Sequence, residues 1–121
     1  MSSTTPPRPV SVPDLPPFGS PDALPWEPLR PGVDASWIYG KDSPGPRAAL
    51  LRYQPGAVVS EHEHLGYEHI FVLAGSQSDG THEYPAGTLS IFPPGWSHRI
   101  VSAGGCIVLA IWTGPLVFRG E

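Results

Sequence analysis

The stretch GAVVSEHEHLGYEHIFVLAG (residues 56–75), followed closely by GTLSIFPPGWSH (residues 87–98), decides how the rest of the chain is read. On a β-strand, residues separated by an even number share a face, so His62 and His64 point the same way. Glu68 joins them if pairing continues across the bend at Gly66. Imidazole nitrogen with carboxylate oxygen is a donor set for Fe, Mn, Ni, Cu, Co or Zn, whereas oxygen alone would suit Ca or Mg. The plainer reading, an exposed polar strand end, competes evenly for two histidines alone; the glycines spaced around them favour a built site.

Working outward, short apolar runs alternate with Gly, Pro, Asp and Ser clusters from Ser36 onward, the texture of an all-β domain. Strands are expected at SWIYG (36–40), AALLRYQ (48–54), AVVSEHEH (57–64), YEHIFVLAG (67–75), TLSIFP (88–93), HRIVSA (98–103) and CIVLAIW (106–112). Between them lie turn sequences such as Gln54-Pro55-Gly56, Ser78-Asp79-Gly80 and Pro93-Pro94-Gly95. No helical period and no internal repeat is evident. Ten of the seventeen prolines fall between Pro6 and Pro31, so residues 1–33 read as an extended Pro-rich arm, disordered over its first dozen residues. Phe18, Leu24, Trp26 and Leu29 give that arm apolar anchors for docking. Residues 34–121 form the domain proper.

A chain of 121 residues has room for one core. Seven basic residues against eleven acidic ones, scattered along the chain, leave no footprint for a phosphate backbone, so nucleic acid is not an expected partner. No apolar run approaches the ~18 residues of a membrane span, and no secretory signal pattern opens the chain. With Cys106 as the lone cysteine, the expectation is a soluble cytoplasmic protein without disulfides.

Gly56, His62, His64, Glu68 and Gly75 resemble the first motif of the cupins; Gly87, Pro93, Gly95 and His98 resemble the second, both without a gap. The resemblance implies a double-stranded β-helix, or jelly-roll barrel, of the RmlC-like kind. It also implies one divalent metal ion held by His62, His64, Glu68 and His98, with iron the first expectation and Mn, Ni, Cu, Co or Zn the alternatives. Ser102 departs from the asparagine of the longer second motif, at a position that is not a ligand. Within the cupins, the Ser78-Asp79-Gly80 turn, Tyr84-Pro85-Ala86-Gly87, Pro93-Pro94-Gly95 and Gly105-Cys106 are similar to the ChrR-like group. That group includes the sensor half of zinc-binding anti-sigma factors and dioxygenases of small diketones. The anti-sigma reading needs a helical zinc-binding domain that residues 1–33 do not supply.

Among the remaining residues, His69 should face away from the metal ligands, His82 should be a solvated loop residue, and Cys106 a small buried hydrophobe. Tyr53 and Trp96 are the candidate walls of a substrate pocket, Trp96 because it lies two residues before His98. The segment His69–Leu73 is apolar on both faces, which calls for a cover on its outer side. The candidates are the docked Pro-rich arm or a second subunit, and a homodimer is the expectation. The leading function is a metal-dependent oxidoreductase of dioxygenase type acting on a small carbonyl or enol compound. The alternatives are a non-redox isomerase or lyase, and a small-ligand sensor without turnover.

Overall fold

The structure, a computed structural model, describes residues 8–118. Ten strands account for nearly all of its regular structure: β1 Glu27–Arg30, β2 Val33–Tyr39, β3 Arg47–Tyr53, β4 Ala57–His64, β5 Glu68–Ser78, β6 Glu83–Pro85, β7 Leu89–Phe92, β8 Ser97–Ser102, β9 Cys106–Trp112 and β10 Leu116–Phe118. A single 3-10 turn, Pro21–Ala23, precedes them. All pairings are antiparallel, and the order β1-β2-β3-β9-β5-β8-β4-β10 curls into a jelly roll, with β6 and β7 also paired to β5. The start of β5 pairs with β7 and the strand pairs with β9 as far as Gly75, whereas its last residues pair with β6 and β8. This long strand therefore links the two halves of the barrel.

Two β-bulges set which side chains face inward. Along β4 the buried positions are Ala57 and Val59, then His62 and His64, so the inward set changes from odd to even across an irregularity between Val59 and His62. Without that extra residue, the aliphatic half and the histidine half of β4 would face opposite sides. A second irregularity, between Val72 and Ala74, does the same on β5: Glu68, Ile70 and Val72 are buried before it and Gln77 after it.

The inner face holds Val33, Leu51, Val59, Ile70, Val72, Ile100 and Val108 packed around Tyr53, Phe92 and Trp112. Burying each such aliphatic side chain is worth about 1.5–3 kcal/mol. Gly56, Gly75, Gly87 and Gly95 all have positive φ. At Gly75 a side chain would also strike the carbonyl of Gly105.

The expected strands are all present, but three short ones were not foreseen. β1 lies inside the segment read as arm. Its one proline, Pro28, is compatible with a strand because β1 is at the sheet edge among the described residues. Trp26 is the arm's main anchor: the Arg52 guanidinium packs 4.3 Å over its ring and lies 4.0 Å from Asp22, while the indole N–H donates to Pro21. Phe18, expected to dock, is 94% exposed. Residues 1–7, which carry much of the expected disorder, lie outside the described residues.

Candidate metal centre

His62 and His98 face one another across the β4–β8 ladder, His64 follows two residues along β4, and Glu68 opens β5. Gly66 makes the short β4–β5 connection feasible, because a Cβ there would lie 2.6 Å from both Gly114 N and Thr113 Oγ1. That same hydroxyl accepts the Tyr67 N–H. The Pro93–Trp96 turn clamps the other side: His64 N–H donates to Trp96 O at 2.9 Å, and Gly95 N–H donates to His64 O at 2.7 Å. Proline and glycine of the second motif thereby hold a candidate ligand of the first.

All four side chains are buried, and one donor atom from each lies within 4.8 Å of all the others. An ion with bonds of about 2.1 Å spans such a set with little closure. Glu68 Oε1 is 3.0 Å from His64 Nε2 and 3.6 Å from His98 Nε2. Yet both nitrogens of His64 and both of His98 are buried without an aligned hydrogen-bond partner among the described residues. Close approach without alignment is what lone pairs aimed at a shared central point produce. His62 shows which nitrogen is free: Nδ1–H donates to Ser60 O, at the β4 bulge, so Nε2 carries the lone pair. Burial also lowers the His62 pKa, favouring the neutral ring that ligates. These residues fit a divalent transition metal.

The second carboxylate oxygen has its own partner. Trp112 Nε1–H donates to Glu68 Oε2 at 2.5 Å, which leaves Oε1 as the oxygen facing the histidines. Burial works to raise the Glu68 pKa, but the His64 and His98 imidazoles outweigh it and hold the group at about 2. Phe92 braces the cluster, its ring centroid 4.6 Å from that of His98 and 5.9 Å from that of His64.

A cavity of about 50 Å³ opens beside the donors, lined by His62, Glu68 and His98 together with Tyr53, Gln77 and Trp112; His64 packs behind. Tyr53, a candidate pocket wall from the sequence, is one of these lining residues. Its phenol is pushed up by burial and by the charge of Glu68. Trp96 does not line this cavity: it is 46% exposed, stacks on Phe92 and borders a separate surface cleft with His82, Tyr84 and Ile91. It belongs to the turn before β8, so counting back by two from His98 does not carry a strand's alternation to it. Gln77 was missed because the β5 bulge changes the inward parity. Trp112 carried a signal, an aromatic at the end of an inward-alternating strand, but not its hydrogen bond. His69 lies on the half-buried outer face, His82 is exposed, and Cys106 is buried beside Gln77, its thiol pushed up by burial.

A sequence profile of the ChrR cupin-like domain matches residues 18–117. No curated protein matches the chain significantly. Among solved structures, an RmlC-like cupin protein from Ralstonia eutropha superposes with a TM-score of 0.73 at 22% identity, over 84% of this chain and 71% of that one. The anti-sigma ChrR of Rhodobacter sphaeroides, solved in complex with SigE, gives 0.67 at 29% identity over 75% of this chain, which spans only 50% of the ChrR match. An acetylacetone dioxygenase from Acinetobacter johnsonii gives 0.78 at 14% identity, covering 100% of this chain and 83% of that one. With curled sheet, motif glycines and profile in agreement, the chain belongs to the ChrR cupin-like family.

Proposed function

We propose that the protein binds one divalent transition metal, iron before Mn, Ni, Cu, Co or Zn, and acts as a dioxygenase-type oxidoreductase on a small carbonyl or enol compound. One observation carries the reading: among the described residues the buried His64 and His98 rings have no aligned hydrogen-bond partner, and one nitrogen of each stands with His62 and Glu68 at the edge of a cavity. Leaving a buried polar atom unmet costs about 1–3 kcal/mol, and an ion would relieve one nitrogen of each ring. When bound, the ion would supply Lewis-acid and redox chemistry to a coordinated oxygen. His62, His64, Glu68 and His98 would hold it. Trp112 fixes which oxygen of Glu68 faces inward, and the aliphatic wall around Val59, Ile70 and Ile100 excludes water from the reacting end.

Elemental analysis of protein purified without a chelating tag, followed by oxygen-uptake assays on a panel of diketones and hydroxyketones, tests this. Iron or copper with substrate-dependent uptake is the expected result. Turnover without oxygen would instead point to an isomerase or lyase. A sensor without turnover is the second reading, favoured by the 29% identity to ChrR; its mark would be a partner protein bound only when ligand is present.

A homodimer is part of the same proposal. Phe71 stands between Leu109 and Leu89 on the outer face, and His69 between Ile111 and Ile91, with Leu89 57% and Ile91 54% exposed. Light scattering should give twice the chain mass, and a persistent monomer would defeat it. No described helix is long and apolar enough to cross a membrane. Cytoplasmic residence, proposed from the lone free cysteine, is tested by cell fractionation.

A further inference from the structure

The strand that opens with Glu68 carries a second inward polar side chain near its other end. Gln77, 2% exposed, lines the same cavity of about 50 Å³ as His62, Glu68 and His98, and Tyr53 lines it from β3. Because one strand supplies both Glu68 and Gln77, the cavity runs along β5, with the candidate metal ligands toward one end and Gln77 toward the other. The aliphatic side chains of Val33, Leu51, Val59, Ile70 and Ile100 make up much of the remaining wall. A phenol and an amide set in such a wall are costly unless hydrogen bonds use them.

The amide spends its N–H groups on its neighbours. Gln77 Nε2–H donates to the Cys106 sulfur at 3.8 Å, and Gln77 also hydrogen-bonds the Tyr53 phenol in the sense that lowers its pKa, which is donation to the phenol oxygen. Behind them the Ser102 hydroxyl is committed to Ser76 O at 2.7 Å. A phenol oxygen that accepts from Gln77 still has its own proton to give. That proton stays in place, because burial first and then the charge of Glu68 push the phenol pKa up and outweigh the Gln77 contact. Tyr53 is therefore a neutral donor on the wall of the cavity. The cavity has room for a few water-sized groups, so one small molecule can meet both this donor and the candidate metal ligands.

We infer that Tyr53 donates its O–H to a second oxygen of the substrate, held in that role by Gln77, so that the protein selects small carbonyl compounds with a further oxygen that the ion does not bind. The carbonyl at the ligand end rests on the function proposed above; the preference for a second oxygen rests on Tyr53 and Gln77. Tyr53 is then a specificity-determining residue and Gln77 a positioning one. A site built to donate to an oxygen rejects the analogue that lacks it, because the buried O–H is left unmet.

Calorimetric titration of full-length protein at pH 7, with and without added Ni²⁺, tests this with pentan-2-one and its 3-, 4- and 5-hydroxy derivatives. At least one hydroxyketone should bind about tenfold more tightly than pentan-2-one in both states, as one net hydrogen bond predicts. Tyr53→Phe should remove most of that gain, while the affinity for pentan-2-one, which has no oxygen to place there, moves by about twofold at most. Gln77→Met, similar in size, should cut the gain to about threefold with pentan-2-one again little changed. A purely structural role would weaken both kinds of ketone together. No gain for any hydroxyketone, failure of every ketone to bind, a gain that survives Tyr53→Phe, or equal weakening of both kinds in a folded variant would overturn the Tyr53 contact. If Tyr53→Phe does not fold, Gln77→Met decides. Ni²⁺ stoichiometry on the same samples judges the metal reading separately, because the hydroxyketone preference is expected whether or not the ion is taken up.

Discussion

Two carboxylates stand on or just after β5, one at its first residue and one just past its last, and their surroundings are opposites. Asp79, in the turn before β6, is fully served: Oδ1 accepts from Thr81 N–H, Thr81 Oγ1–H and His82 N–H at 2.8–2.9 Å, and Oδ2 accepts from the Tyr84 hydroxyl at 2.7 Å. Glu68 is served on one side only. Its Oε2 takes the Trp112 N–H, while Oε1 faces imidazole nitrogens that are near but not aligned. Asp79 closes a turn and needs nothing further, whereas Glu68 and its neighbours form a group of acceptors with no donor at their centre. A cation at that point would satisfy the carboxylate and one nitrogen of each imidazole together. The difference separates a carboxylate that closes a turn from a candidate metal ligand eleven residues away.

The sharpest way to break this contrast is to remove a ligand. His64→Ala should abolish stoichiometric uptake of Fe²⁺ or Ni²⁺, with affinity falling more than about 100-fold, since even partners one shell outside a metal can be worth 10–100-fold. Elemental analysis and competitive chelation measure it, with circular dichroism to verify the fold; full occupancy in the variant would remove the site from the map. Glu68→Gln, nearly isosteric, should behave the same way while keeping the Trp112 contact.

Trp112→Phe tests the one side of Glu68 that is already satisfied. The ring remains to pack against Arg47 and Trp37, but Oε2 loses its donor and the carboxylate can rotate. Metal affinity should fall about 10–100-fold with the fold intact. Unchanged affinity would mean that the indole N–H does not orient the ligand.

At Asp79 the same logic predicts a loss of stability rather than of metal. Asp79→Ala should lower the free energy of unfolding in urea by about 1–3 kcal/mol, because the Tyr84 hydroxyl and the turn N–H groups lose their acceptor. Metal uptake should not change. The pH dependence has a definite sign. Burial works to raise the Asp79 pKa, but hydrogen bonds from Tyr84, Thr81 and His82 prevail and hold it below the ordinary value. A group depressed in the folded state stabilises above its unfolded pKa of about 3.9, and that contribution fades as pH falls through the folded value. The stability gap between the wild type and Asp79→Asn should therefore be widest above about pH 4 and narrow below it. A gap that widened in acid would refute the assignment.

How much of this was legible beforehand depends on spacing versus parity. The candidate ligands His62, His64, Glu68 and His98 follow from motif spacing, which survives bulges because the bulge is part of the spacing. Inward and outward faces do not survive them. Alternation from Val59 alone would have turned His62 outward, and alternation from Val72 would have turned Gln77 outward; both face in because each strand carries an extra residue. Strands β1, β6 and β10 are three or four residues long and contain or adjoin proline, too short for a period to show.

The smallest expected effect is the most instructive control. His82 Nδ1 lies 3.8 Å from Asp79 Oδ2 and His98 Nε2 lies 3.6 Å from Glu68 Oε1, so by distance the two His–carboxylate pairs are nearly equal. Their side-chain exposures are 74% and 4% for the histidines. In water an imidazole can exchange a carboxylate neighbour for solvent at almost no cost, so His82→Ala should change stability by less than about 0.5 kcal/mol and leave metal uptake alone. The His98 ring has no solvent to turn to and, among the described residues, no aligned hydrogen-bond partner, so His98→Ala at nearly the same separation should lose the ion. If the two substitutions proved equally mild, burial would not be what distinguishes the ends of β5, and the reading of Glu68 as an incomplete cation site would fall with it.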